Sequence, residues 1–139
     1  MSKPRKEFLS PKTLIPPGPA CYSHIAKVNR GTIVFRSDQG PCDASGKLIG
    51  EGDFEAQVEQ VFRNLKIAVE AAGGTMADIV KLNYFVVAKV GQATVTKMRP
   101  IRDRYLNVTD PPASTFVVVS RQSRPGWLIE IEAVAALEA

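Results

Sequence analysis

Apolar residues recur at helical spacing most strongly in one stretch of the chain. Phe54, Val58, Val61, Phe62, Leu65 and Val69 form a single stripe, which predicts a helix over about 54–72. Asp53 stands where an N-cap belongs, and Gly73-Gly74 where the helix must stop. Glu55, Glu59, Arg63 and Lys66 fall largely on the opposite face. Elsewhere the period is two. Within Asp78 to Val87, Val80, Leu82, Tyr84 and Val86 share one face of a predicted strand. Lys81 and Asn83 lie on the other face, which Ile79 and Phe85 keep partly apolar, as a face buried by a partner would be. Further strands are predicted at Tyr22–Val28, Thr32–Ser37, Ser114–Ser120 and Trp127–Ala135, with a short one at Lys47–Ile49. A second helix is expected within Gln92–Leu106, kinked or starting late at Pro100.

The order β-β-(β)-α-β-α-β-β implies an α+β fold, a mixed sheet carrying both helices on one face. Before it, Pro4, Pro11, Pro16, Pro17 and Pro19 make the start of the chain an extended arm or loop, since proline lacks a backbone donor and fixes φ. The expected organisation is a proline-rich arm at 1–17 and a single domain at 18–139, long enough to bury a core without staples.

Charge changes this picture little. The net charge is +4, and Lys3, Arg5 and Lys6 supply part of the excess. No basic run follows residue 6, whereas a nucleic-acid binder concentrates its charge in a patch or stripe. A solvated basic tail is the better reading, and nucleic acid is a disfavoured partner. Met1 to Ser10 lacks the apolar segment of a signal peptide, and no stretch approaches the ~20 apolar residues that span a bilayer. Cys21 and Cys42 stand outside any CxxC spacing. The expectation is a cytoplasmic protein, away from membranes, with two free thiols and neither metal nor redox site.

The chain has no Gly-rich phosphate loop, no Gly-x-Ser-x-Gly elbow and no His-x-x-x-His. His24 is the one histidine, which excludes a histidine-built metal site; it reads as structural or exposed. Ile129-Glu130-Ile131-Glu132-Ala133 is more suggestive. On a strand, Glu130 and Glu132 point the same way, roughly 6–7 Å apart. Two such carboxylates can raise each other's pKa and act as acid and base. The same alternation also describes a solvated outer sheet face, the commoner arrangement. Tyr22, Ser37 and Ser114 are hydroxyls near predicted strand ends, an ordinary placement.

Taken in order, these segments resemble the Rid (YjgF/YER057c/UK114) family over nearly the whole chain after the arm. Gly18-Pro19-Ala20-Cys21-Tyr22-Ser23-His24 resembles its Gly-Pro-Tyr-Ser-Gln segment with an insertion, and Thr32 to Gln39 its strand ending in Ser-Gly-Gln. Gln60 to Gly73 and Ala77 to Val86 resemble its central helix and following strand. Asp110 to Val119 resembles the segment carrying Pro-Ala-Arg, and Ile129 to Ala133 the closing strand.

The resemblance implies a chorismate-mutase-like fold and a homotrimer. It places a small-molecule cleft between adjacent subunits and requires no cofactor. In the family's deaminases, enamine and imine intermediates released by pyridoxal-phosphate enzymes are hydrolysed to a 2-oxo acid and ammonia. The arginine after Pro-Ala grips the substrate carboxylate, and a glutamate on the last strand helps position the attacking water. That glutamate falls on Glu130 and the family tyrosine on Tyr22. Ser37 and Gln39 match Ser and Gln of Ser-Gly-Gln, with Asp38 in place of the glycine.

The arginine position is Ser114, and a serine cannot replace a charged bidentate fork. Either the substrate lacks a carboxylate or another cation binds it. Arg36 and Arg121 adjoin matched segments. Arg36, however, should point away from the face of Ser37, and Arg121 would serve only if the strand end curled inward. The expectation is therefore a deaminase-type hydrolase with changed specificity, acting on a small imine, enamine or related nitrogen compound other than the usual 2-imino acid. Glu130 would be catalytic, and Tyr22, Ser37 and Ser114 would bind the substrate. The alternatives are a non-catalytic metabolite-binding trimer and, behind it, RNA cleavage or translation inhibition.

Overall fold

A computed structural model describes residues 5–138. Lys3 and the rest of the arm's first four residues therefore lie outside the described residues. Strands β1 (Lys6–Leu9) and β2 (Ile25–Val28) pair antiparallel as a small separate sheet. The main sheet has the order β3-β6-β4-β5, with β3 at Thr32–Gln39, β4 at Ile79–Val87, β5 at Ala113–Val119 and β6 at Ile129–Leu137. Among the described strands only the β4–β5 pair is parallel. Helix α1 (Phe54–Ala71) crosses one face of this sheet, and α2 (Gln92–Val95) and α3 (Met98–Tyr105) form the crossover between the two parallel strands. The α+β class is as expected.

Helix α1 forms where its stripe predicts. The Asp53 carboxylate accepts from Ala56 N–H at 3.0 Å, and Gly73 closes the last turn at φ 90°. Val58, Val61, Phe62 and Leu65 are fully buried against Leu82, Ile129, Ile131 and Ala133. Together they make the core, and each such side chain removed from water contributes about 1.5–3 kcal/mol.

Four details depart from the sequence reading. A bulge after Ile79 sets that residue opposite Ala135, so its side chain joins the core instead of the Lys81 face. Lys47–Ile49 is not a strand; it offers a single bridge between Cys42 and Leu48. The Asp43 carboxylate caps this turn, accepting from Ser45 N–H and Lys47 N–H at 2.9 and 3.0 Å. The second helix breaks at Thr96–Lys97, ahead of Pro100, which sits in the first turn of α3, where its missing N–H costs nothing. Finally, the proline-rich arm is not all loop. Strand β1 pairs with β2, and Arg5 reaches the Asp78 carboxylate at 2.8 Å and the Ala136 carbonyl.

Gln57 is a buried polar group with three jobs. Its amide donates to Gly50 O and Gly126 O at 3.0 and 2.9 Å, and its carbonyl accepts from Leu128 N–H at 2.8 Å. It thereby ties both loops to α1 at the start of β6.

Burial pushes the Asp78 carboxyl up, but bonds from Thr75 N–H and Arg5 outweigh it and hold the pKa below the ordinary carboxylate value. Because the folded pKa is depressed, this stabilisation is complete above the unfolded value, about pH 4. It is lost as pH falls through the lower folded value. Asp78→Asn should therefore cost about 1–2 kcal/mol at neutral pH. Urea titrations of both proteins should show the difference shrinking steadily once the pH drops below the ordinary carboxylate range.

Candidate functional site

Between the β5 edge and the α2–α3 crossover lies a cavity of about 480 Å³. Tyr22 and Ser114 both line it. They meet because the chain ahead of β2 does not start a strand at Tyr22. Cys21 adopts left-handed φ 52°, and Ser23 instead bridges to Ala113. Ser23 N–H donates to Pro112 O at 3.2 Å and its hydroxyl to Pro111 O at 2.6 Å. His24 pins the arm behind it, with Nε2 2.8 Å from Ile15 O and its ring edge-on to Tyr22 at 5.2 Å. The lone histidine is structural.

Arg102, a lining residue absent from the sequence reading, clamps the same turn. It donates to Ala20 O at 2.7 Å and pairs with Asp103 at 2.9 Å, and its side chain is 6% exposed. Arg99, Tyr84 and Phe116 complete the parts of the cavity that matter chemically. The sequence held one signal for Tyr84, a polar tip on an otherwise apolar strand face. The α3 arginines carried none, since exposed helix positions are ordinarily basic.

Glu130 and Ser37 are elsewhere. Register settles this: Leu82 opposes both Ser114 and Ala133, whereas Phe85 opposes both Val117 and Glu130. Ser114 thus projects from the helix-covered face of the sheet and Glu130 from the outer face. Glu130 and Glu132 share that outer face as expected, yet Glu130 is only 5% exposed rather than solvated. The Ser123 hydroxyl lies 3.5 Å from its Oε1, and Asn83 donates to Glu132 at 2.7 Å. Ser37 and Asp38 are exposed, at an irregularity of β3 beside Glu132. The chain brings Tyr22 to Ser114 and leaves Glu130 and Ser37 behind the sheet.

Neither arginine considered as a substitute cation reaches the cavity lining. Arg36 faces α1 and donates to Leu65 O at 2.6 Å, with Nε and Nη2 buried and unpaired; burial pushes its pKa down. Arg121 lines a second recess of about 410 Å³ together with Lys89, Arg124 and Trp127. There the Arg124 guanidinium lies 5.3 Å from the Trp127 ring centroid. Residues scattered along the sequence thus form a basic, aromatic patch that linear inspection missed.

Residues 16–137 match the endoribonuclease L-PSP family. The chain belongs to this family, the Rid (YjgF/YER057c/UK114) proteins. This Rid chain is 34% identical to the protein HMF1 of Saccharomyces cerevisiae, over 87% of its own length and 88% of the yeast protein's. It is 37% identical to a 2-iminobutanoate/2-iminopropanoate deaminase of Salmonella typhimurium, over 81% and 85% of the two chains. Among solved structures, the Rid protein YyfB of Yersinia pestis superposes with a TM-score of 0.81 at 32% identity, covering 96% of this chain and 99% of that one. Among the described residues no helix is long and apolar enough to cross a membrane, and no cluster of three or more His, Cys, Asp or Glu residues is placed to hold a metal ion.

Removing the Arg102 clamp should loosen the cavity wall more than it harms the core. Arg102→Gln is expected to cost about 1–3 kcal/mol in denaturant titrations. It should also make the chain near Tyr22 susceptible to limited proteolysis under native conditions.

Proposed function

We propose that this Rid protein is an imine or enamine deaminase-type hydrolase that works as a homotrimer. Its substrate would be a small nitrogen-containing metabolite other than the 2-imino acid that an arginine at position 114 would hold. The observation carrying this reading is the cavity beside Ser114. The hydroxyls of Tyr22, Tyr84 and Ser114 line it and have no hydrogen-bond partner among the described residues. Polar groups facing a recess without protein partners are available to a ligand or to water. The similarity to a protein named as an iminobutanoate deaminase supports the reaction class.

Catalysis in this reading needs a second copy. Glu130 lies behind the sheet that carries Ser114, so the outer face of one subunit must meet the cavity of the next. The outer face suits such contact: Phe35 is 79% exposed there with Ile33 beside it on β3, and Val117 is exposed on the same face at the β5 edge. Glu130 then takes a proton from water as the water oxygen bonds to the imine carbon. The same carboxyl returns that proton to nitrogen to give a carbinolamine. It then takes the carbinolamine hydroxyl proton and delivers it to the amino group as the C–N bond breaks, so that ammonia leaves with a carbonyl product. Tyr22, Ser37 and Ser114 hold the substrate.

One observation favours a second reading, RNA binding with cleavage. The recess formed by Lys89, Arg121, Arg124 and Trp127 combines cations with a stacking surface. In that case binding to single-stranded RNA should weaken steeply with salt, and charge removal at Arg121 and Arg124 should abolish it.

Ammonia release from a panel of freshly generated imines tests the hydrolase. The natural chain should turn over at least one member, and Glu130→Gln should lower the rate by about 10²-fold or more. Turnover of 2-iminopropanoate should rise in Ser114→Arg. Ligand-induced shifts in melting temperature without any product would instead identify a binding protein.

A further inference from the structure

The cavity lining contains no carboxylate, yet it includes two arginines, Arg99 and Arg102. Arg102 is spoken for: its donors go to Ala20 O, Pro19 O and Asp103, and its side chain is buried. Arg99 differs. It sits one helical turn earlier on the same side of α3, where residues three apart are neighbours. It is half-buried, and its guanidinium has no hydrogen bond or ion pair among the described residues. A guanidinium that the protein leaves without an acceptor keeps its fork of donors available to an anionic ligand. Tyr84 offers a second open group. Its residue is 4% exposed, its hydroxyl is unpartnered among the described residues, and burial pushes its pKa up, which keeps it a neutral donor.

We propose that Arg99 is the anion grip of this cavity and that the ligand is a carboxylate with a sizeable apolar body. The inference rests on reading the cavity as the substrate site, and it names the class of substrate. Strand β5 carries an uncharged serine at position 114, and the positive charge is supplied instead from helix α3, across the cavity. Arg36 and Arg121 cannot do this, because the first is committed to α1 and the second lies in the other recess.

Moving the cation turns the ligand. With its carboxylate at α3, the remainder lies along Tyr84, Val86, Phe116 and Val118, an apolar wall that ends at the sheet edge. The volume falls in the range that accommodates drug-sized ligands, on the order of 300–1,000 Å³. The fitting compounds are therefore aryl or branched-chain carboxylates, including the 2-imino acids with such side chains, rather than their shortest members.

Titration calorimetry with phenylacetate and its neutral counterpart phenylacetamide separates charge recognition from apolar packing without requiring turnover. The natural chain should bind phenylacetate at least 10-fold more tightly than the amide. Arg99→Gln should erase that preference while leaving amide binding and the melting temperature unchanged, and Arg99→Lys should retain part of it. Lys97→Gln, which removes a neighbouring exposed charge outside the cavity lining, should change nothing. The proposal fails if the natural chain does not bind phenylacetate or does not prefer it to the amide. It fails equally if the preference survives Arg99→Gln, or if Lys97→Gln weakens it as much. If the preference follows Arg99 in a protein that releases no ammonia from any imine, the grip stands and the hydrolase reading falls.

Discussion

Strand β6 is bonded along both edges, to β3 on one side and β4 on the other, and everything else is arranged about it. Its inner residues, Ile129, Ile131, Ala133 and Ala135, have essentially no exposure, because α1 seals that face. A central antiparallel strand of this kind has no freedom to slip. A one-residue shift would put Glu130 and Glu132 into the apolar layer under α1 and expose Ile129 and Ile131. Gln57 anchors the entry to the strand by satisfying Leu128 N–H from within the helix layer.

That constraint decides where chemistry can occur. Alternation along β6 and β4 sends Glu130 to the outer face, while the parallel pairing of β4 with β5 sends Ser114 to the inner one. The helix layer stops short of β5, and the gap between that edge strand and α3 is the cavity. Ser23, held by the carbonyls of Pro111 and Pro112, brings Tyr22 to its rim. The cavity is therefore built from three distant parts of the chain, and the carboxylate stands behind its wall.

Much of this was legible in order of residues. The stripe of α1, its Asp53 cap and Gly73 stop, the α+β order and the shared face of Glu130 and Glu132 all follow from local periodicity, which the sheet and helix obey. Departures came where a local pattern competed with a specific bond. The Asp43 cap turned Lys47–Ile49 into a loop, and the bulge after Ile79 reversed that residue's side. Lys6–Leu9 read as part of a proline-rich arm, yet pairing with β2 and the Arg5–Asp78 contact draw it into a strand.

The sequence by itself determined the fold class and the family, because each depends on residue types in order along the chain. Only the tertiary structure decided that Tyr22 and Ser114 share a cavity from which Glu130 is excluded, since that depends on strand register and on which edge is parallel. It alone placed Arg99 at the cavity lining without a hydrogen-bond or ion-pair partner among the described residues, because partners are assigned by packing and not by order along the chain.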